Sequence, residues 1–410
     1  MPTDTTPPHQ EDSILTQPHP APSQKRISRR KVLALTGGGV LVLVGGGGVW
    51  RANDQGVFST GQGPAYEPWY DWRSPTKGPL NLVRAAILAA NPHNSQPWLF
   101  HVTPTQINLF ADYQRNIGSV DPFLREMHIG LGCALENLQL AATANGYNPK
   151  VTLLPDASDE TFVAQILLQP GSATIPDLYP MIAQRHTNRY PYDTSRPVSS
   201  STLAALSALN DDPDLRVFWF SHAEQRQRVG NLLNEAAQAF VADKVQNGDT
   251  AKWWRGTWQD VQQHRDGITL DASGLSDFMR AFAKMLPPVS QSQQDSSFLQ
   301  NTNNQVATAG AFGLLTIRDV QDRKQQLHAG SLWERMHLWV TKEGLAMQPL
   351  NQVVERAARE VVLGSTPHFG STLATLVADP SRQTVLAFRI GYSTHAGLPA
   401  PRRAVTEVSR

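Results

Sequence analysis

The stretch Asn91-Pro92-His93-Asn94-Ser95-Gln96-Pro97-Trp98 separates two segments of different character. Before it, Leu82–Ala90 is a compact apolar run with helical spacing. After it, Trp98-Leu99-Phe100-His101-Val102 reads as extended chain. Pro92 stands two residues beyond the last alanine, where its ring removes an amide donor and restricts Asn91. The helix therefore stops there. The following residues crowd amide side chains and exposed backbone into a short, stiff loop that can offer donors and acceptors to a flat, polar-edged ligand. Taken alone, the plainer reading is favoured: a helix stop with polar loop residues.

The 410 residues suffice for one large or two moderate cores, and 40% hydrophobic with 17% charged residues marks a globular chain. Residues 1–50 hold five Lys/Arg against three Asp/Glu, so the net charge of +1 leaves the remainder at −1. That offers no electrostatic footprint for nucleic acid. The single cysteine, Cys133, excludes an intramolecular disulfide and any cysteine-built metal site. It falls in a helical apolar pattern and reads as a small buried hydrophobe.

Residues 1–24, rich in Pro, Thr, Gln and His, read as a disordered leader. Residues 25–50 follow with Ser28-Arg29-Arg30-Lys31 and a Gly-rich apolar run from Val32 to Val49. Paired arginines before such a run form the pattern of a twin-arginine export signal. Seven glycines between Gly37 and Gly48 weaken the competing reading, a spanning helix. No Ala-x-Ala cleavage site stands near Trp50, so the segment also reads as a possible membrane anchor. The expected location is periplasmic, or anchored on the outer side of the cytoplasmic membrane.

An ungapped offset of 198 residues lays Gly132–Gly146 over Gly330–Gly344. Identities fall at Gly132/Gly330, Glu136/Glu334, Leu140/Leu338, Thr143/Thr341 and Gly146/Gly344. Each segment has helical apolar spacing and a terminal glycine of the kind that caps helices. Duplication and chance similarity between capped amphipathic helices both explain this.

"AANPHNSQPW" resembles the helix–loop–strand signature of the nitroreductase family of flavoproteins, where this loop lies against bound FMN. Residues 130–147 resemble the family's central helix, "QRHTNR" (184–189) its phosphate-binding start and "PRRAVTEV" (401–408) its basic C-terminal clamp. With residues 328–352 and "RIGY" (389–392), these are similar to the Acg-type branch, in which one chain carries two nitroreductase-like halves. The resemblance spans about residues 66–410 and favours duplication. It implies an α+β, nitroreductase-like fold whose tandem halves, 66–180 and 181–410, form a pseudo-dimer within a monomer. The family's flavins sit at the interface of homodimers. Here only the first half keeps the Asn-rich loop and only the second keeps the phosphate motif, which implies one flavin site per chain.

The resemblance carries specific residues. Arg185, Thr187 and Arg189 match the phosphate motif, with His186 between them as a further donor; Arg402 and Arg403 match the C-terminal pair. A dianionic phosphate calls for such guanidinium forks and hydroxyls. Pro92, His93, Asn94 and Gln96 match the loop at the ring and ribityl chain, with His93 where related proteins often carry Ser. Pro349, Leu350, Asn351 and Gln352 align with the segment under the reactive ring nitrogen. There Asn351-Gln352 replaces the usual Glu-Gly, which puts the backbone donor to that nitrogen in doubt. Without the resemblance, both arginine clusters would be ordinary surface charge.

Other chemistries lack their motifs. There is no His-Glu-x-x-His and no Gly-x-Ser-x-Gly, and Gly130-x-Gly132 lacks a third glycine. Asp121, Arg125 and Glu126 read as a solvated helix start. The stretch between about 210 and Ala307, with Trp253, Trp254 and Trp258, a helical region near 273–286, and a Ser/Gln/Asn-rich segment from Pro287 to Gln305, reads as a lid or linker. Residues 225–305 are accordingly a candidate flavin cover. The expected activity is two-electron transfer through FMN, from NAD(P)H or another donor to a small-molecule acceptor, with no catalytic acid or base assigned. The alternative is a non-catalytic flavin-sequestering protein with a closed lid. Further partners are the twin-arginine export machinery and no nucleic acid.

Overall fold

The computed structural model describes residues 46–73, 78–287 and 289–410. The leader at 1–24 and most of the signal segment lie outside the described residues.

In the first part of the chain, α1 (Leu80–Ala86) leads through the Asn91–Trp98 loop to β1 (Trp98–Val102) and β2 (Gln106–Ala111). Then come the long helix α2 (Arg125–Ala144), β3 (Tyr147–Leu153) and β4 (Phe162–Pro170). The strands pair antiparallel in the order β1-β2-β4-β3. In the second part, β5 (Arg216–Phe220) is followed by a long insertion that includes α3 (Ala223–Ala242), α4 (Asp277–Met285) and α5 (Gln291–Ala307). Beyond it run β6 (Ala311–Ile317), α6 (Arg323–Lys342), β7 (Ala346–Pro349), α7 (Gln352–Leu363) and β8 (Gln383–Gly391), with the antiparallel order β5-β6-β8-β7. Both sheets thus place their strands in the order first, second, fourth, third, with a 20-residue helix between the second and third.

Those two helices, α2 and α6, cross at their glycines. A Cβ on Gly132 would fall 2.0 Å from the Leu327 carbonyl oxygen, and one on Gly330 would fall 2.0 Å from that of Ile129. Only glycine allows the backbones so near. The contacts are reciprocal in the 198-residue register: the Cys133 thiol donates to the Gly330 carbonyl (3.2 Å), and the Ser331 hydroxyl donates to the Gly132 carbonyl (3.1 Å). His128 and Gln326, equivalent in the same register, meet side chain to side chain at 2.7 Å. The two helices thus make the same contacts on each other in both directions. A single apolar core runs through the crossing, joining Trp98, Leu131 and Leu138 to Leu327, Met336 and Phe388. Each such side chain contributes roughly 1.5–3 kcal/mol by burial. Cys133 is among them, as its helical position implied.

Residues 401–410 return to the first part. The Arg410 amide donates to the Phe100 carbonyl (2.8 Å), the Val102 amide to that of Arg410 (3.2 Å), and Phe100 bridges Ser409 in parallel. The tail thereby lines the edge of β1 and carries Arg402 and Arg403 to the Asn-rich loop.

Two expectations are corrected. The Pro287–Gln305 segment is not a linker: α5 occupies most of it, started by a capping box in which Ser290 and Gln293 satisfy each other's amides. Phe298 then packs on Phe240, with ring centroids 6.2 Å apart. The Asp121–Arg125–Glu126 group is not solvated either; all three are buried. Asn351 donates to Glu126, Glu355 lies against it, and the Met127 amide donates to Asp121 (2.9 Å). Burial first, then the charge of Asp121, pushes the Glu126 carboxyl up to about 8.

Candidate functional site

The loop after α1 holds three non-glycine residues in the left-handed region: His93 (φ 49°), Asn94 (φ 55°) and Gln96 (φ 53°). Asn tolerates this conformation; His and Gln adopt it at a cost of about 1 kcal/mol or more each. The surroundings impose it. The Asn91 carboxamide accepts from the Gln96 amide (2.8 Å), and Gln96 donates to the Arg265 carbonyl (2.8 Å) while accepting from the Arg403 amide (2.8 Å). Asn94 donates to the Pro401 carbonyl (2.9 Å) and accepts from Arg402 (2.6 Å). Under the loop, Gly130 of α2 leaves room for Pro92, whose Cδ would lie 3.0 Å from an added Cβ.

His93 and Asn94 form one wall of a cleft with about 550 Å³ of empty space, its open mouth included. Arg185, His186, Thr187 and Arg189 form another wall, and Trp69, Ala400 and Arg402 a third. The insertion supplies the cover: Gly267, Ile268, Thr269 and Ala272 line the cleft, the Gly267 amide donates to the Asn94 carbonyl (3.1 Å), and Arg189 donates to the Ala272 carbonyl (3.1 Å). Of the residues singled out in the sequence, His93, Asn94, Arg185, His186, Thr187, Arg189 and Arg402 therefore come together. Pro92, Gln96 and Arg403 stand behind the loop and brace it. Pro349, Leu350, Asn351 and Gln352 do not line the cleft. Pro349 ends β7, Leu350 is packed in apolar core, Gln352 begins α7, and Asn351 joins the buried carboxyl group at Glu126 while accepting from the Ala387 amide (3.0 Å).

The electrostatics are unbalanced. Beneath the cleft lies Glu334, wholly buried, which accepts from the Ala90 amide (3.1 Å) and Asn137 (3.1 Å) and lies 2.9 Å from Arg185 Nε. Burial pushes its carboxyl up from the usual range, against the pull of Arg185. Arg402 also donates to the Leu88 and Ala89 carbonyls (3.2 and 3.1 Å) and lies over the Trp69 ring at 4.8 Å. Burial and then the charge of Arg185 lower Arg402 to about 9. Arg185, Arg189 and Arg402 thus line the cleft, and the Glu334 carboxylate bears on two of them, Arg185 and Arg402. Both imidazoles are forced neutral: burial and then Arg189 hold His93 at about 4, and burial, then Arg185, then Arg402 hold His186 at about 3. The His186 ring stands edge-on to Trp69 at 4.6 Å, and its Nδ1 is buried without a partner among the described residues. Excess positive charge, a threonine hydroxyl and an unpartnered ring nitrogen form a donor set suited to a phosphate group.

Sequence reasoning missed Trp69 and Glu334 as parts of this site, whereas Gly267–Ala272 fall inside the 225–305 stretch read as a candidate cover. Glu334 had a signal, its identity with Glu136 in the 198-residue register. Its role is clear from the other member of the pair, since Glu136 meets Arg335 at 2.8 Å where Glu334 meets Arg185. Trp69 had none.

No family model matches the chain. A Mycobacterium tuberculosis protein named as an NAD(P)H nitroreductase is 34% identical over 281 residues, covering 67% of this chain and 76% of its own. The chain belongs to the nitroreductase family. A second relative, named as the NAD(P)H nitroreductase PigM of a Serratia species, is 24% identical over 343 residues, covering 79% of this chain and 90% of its own. Among solved structures, the FMN-dependent nitroreductase NfnB of Mycobacterium smegmatis, in complex with NADPH, overlays 56% of this chain and 95% of its own, at 16% identity and a TM-score of 0.33. A Bacteroides fragilis nitroreductase with bound FMN overlays 56% and 95% at 13% identity and a TM-score of 0.32. In this nitroreductase-family chain, the cleft draws its walls from both four-stranded units and from the insertion.

Proposed function

We propose that the protein is an exported FMN-binding oxidoreductase built as two nitroreductase-like halves that form a pseudo-dimer within one chain. The observation that carries the reading is the convergence of Arg185 and Arg189 with Arg402, which is distant in sequence, on one cleft with a surplus of positive charge. The reciprocal crossing of α2 and α6 supports the two-halves reading. Arg185, Thr187, Arg189 and Arg402 would hold the phosphate of FMN, with His186 as a further donor. His93 and Asn94 would meet the rest of the cofactor. When bound, FMN supplies two-electron redox chemistry. The chain's own residues bind and orient it, and residues 267–272 exclude water. Export rests on the paired arginines and the apolar run at 29–49, outside which no described helix is long and apolar enough to cross a membrane. The acceptor is a small molecule, and the donor is NAD(P)H or, outside the cytoplasm, another reductant.

The hydrogen bonds from the insertion to Asn94 and Arg189 favour a second reading, a closed site that sequesters flavin. One experiment separates the two. The full chain is purified from a flavin-rich host, its visible spectrum is recorded, and NADPH is added without oxygen. Flavin bands that bleach support the oxidoreductase. Bands that persist with both NADPH and dithionite-generated quinol support sequestration. No flavin, even after reconstitution with FMN, overturns both.

A further inference from the structure

The helix α4, Asp277–Met285, is inverted with respect to solvent. Its basic residues point inward: Lys284 Nζ lies 2.6 Å and Arg280 Nε 3.5 Å from the buried Asp271 carboxylate, and Arg280 donates to the Tyr190 hydroxyl (3.2 Å). Its large apolar residues point outward. Phe278, Met279 and Phe282 are 57%, 48% and 49% exposed, and the two phenyl rings stack with centroids 6.4 Å apart. Positions 278, 279 and 282 fall on one helical face, and Leu286 and Val289, just beyond the helix end, are exposed as well. The N-terminal helix Gly46–Asp54 adjoins this face. Arg51 donates to the carbonyls of Met285 (3.1 Å) and Leu286 (3.2 Å), which brings the exposed Val49 and Trp50 alongside.

A soluble surface helix turns its charges to water and its rings to the core. Here buried ion pairs hold the inner face, and the outer face keeps its apolar residues without a covering element among the described residues. The sequence indicates what covers it. In the sequence an apolar run, Val32 to Val49, preceded by Arg29-Arg30-Lys31, leads into Trp50 and into Arg51, which is bonded at this patch. If that run enters a bilayer, the patch is held at the bilayer surface. A helix with outward Phe and Met suits the boundary between headgroups and acyl chains, and a neighbouring Trp suits the headgroup level.

We propose that this face docks on a lipid bilayer, with Phe278, Met279, Phe282 and Leu286 dipping into the acyl boundary and Trp50 at the headgroups. The inference rests on the anchored form of the export reading above. It gives the inverted helix a role at the cleft, because Asp271, which holds Lys284 and Arg280, lies between the cleft-lining residues Thr269 and Ala272.

The test uses the full chain. Cys133 is buried and is the only cysteine, so an introduced thiol can be labelled selectively. Met279→Cys carries an environment-sensitive fluorophore, and vesicles of phosphatidylethanolamine and phosphatidylglycerol carry a nitroxide at a shallow acyl position. The expected result is a blue shift with quenching at residue 279, none at a Gln321→Cys control, and a vesicle partition coefficient lowered roughly tenfold or more by Phe278→Ser with Phe282→Ser. A Leu43→Cys label reads the anchor separately. Quenching at 43 without quenching at 279 overturns the docking face and leaves the anchor reading standing; quenching at neither overturns both. A blue shift at 279 without vesicles also overturns docking, and assigns the patch to the chain's own N-terminal segment or, where it depends on protein concentration, to a second copy.

Discussion

Replacing Glu334 by Gln removes one charge from the base of the cleft while keeping side-chain volume and an acceptor for the Ala90 amide. The loss falls on Arg185, which is 2% exposed, lies 2.9 Å from Glu334 and otherwise donates to the Leu88 carbonyl (2.7 Å). Stranding one member of a buried pair costs about 3–5 kcal/mol; the retained amide contacts place Glu334→Gln at the lower end, about 3 kcal/mol. Replacing Arg185 by Met strands the carboxylate, which protonates, so that variant costs about 2–3 kcal/mol. With both changed, neither charge is left alone, and the loss falls well short of the sum. Urea unfolding of the four proteins gives the coupling directly, with an expected value of about 2 kcal/mol. Losses that add to within about 0.5 kcal/mol would refute the view that this pair holds the floor of the cleft.

Three further outcomes follow from the same geometry. Glu126 is raised to about 8 from an ordinary 4.5, so it keeps its proton in the fold after the unfolded chain has lost its own; the stability it supports is full below pH 4.5 and is lost as pH rises through about 8. Glu126→Gln should flatten that decline and raise stability at pH 8 by about 1–3 kcal/mol, measured by denaturant titration across pH; an unchanged slope would count against a protonated carboxyl. Gly132→Ala places a methyl 2.0 Å from the Leu327 carbonyl oxygen and should cost about 3 kcal/mol or abolish folding, seen as a fall in thermal midpoint, whereas a midpoint within a degree or so of wild type would contradict the crossing. Inorganic phosphate should raise the His186 imidazole from about 3, because a bound anion offsets Arg185 and Arg402; its ring signals in an NMR pH titration report the shift, and indifference to phosphate would remove the anion site.

The loop at 91–98 was legible because two prolines bound it and Trp98, fully buried, starts a strand whose Trp98 and Phe100 face the core. The repeat that carries α2 and α6 was legible in the sequence, but the crossing at Gly132 and Gly330 was not, because a shared glycine does not reveal which backbone approaches it. The convergence of Arg185 and Arg402 was legible only by family resemblance: nothing local tells a guanidinium at a cleft from one in water. The carboxyls at Asp121 and Glu126 were misread for the reason that burial is a tertiary property. Asn351 and Glu355, which enclose them, lie more than 200 residues away. The helix Gln291–Ala307 was misread because Ser, Gln and Asn weighed more than the Ser290–Gln293 capping box, which the sequence does contain. Trp69 became part of the cleft only through the C-terminal tail, where its indole N–H donates to the Ala400 carbonyl (2.7 Å).

That tail sets an order on biosynthesis. Arg402 lies 313 residues beyond Ala89, whose carbonyl it binds, and Arg410 pairs with Phe100 at the open edge of the first sheet. While the ribosome is still reading the intervening residues, the first unit has an unpaired strand edge, an unsupported loop and a cleft without its third wall. Neither the cleft nor the edge can close before residues 402–410 have been made. Any ligand that needs all three walls must therefore arrive after translation has passed residue 402, and removal of residues 401–410 should expose both the strand edge and the cleft at once.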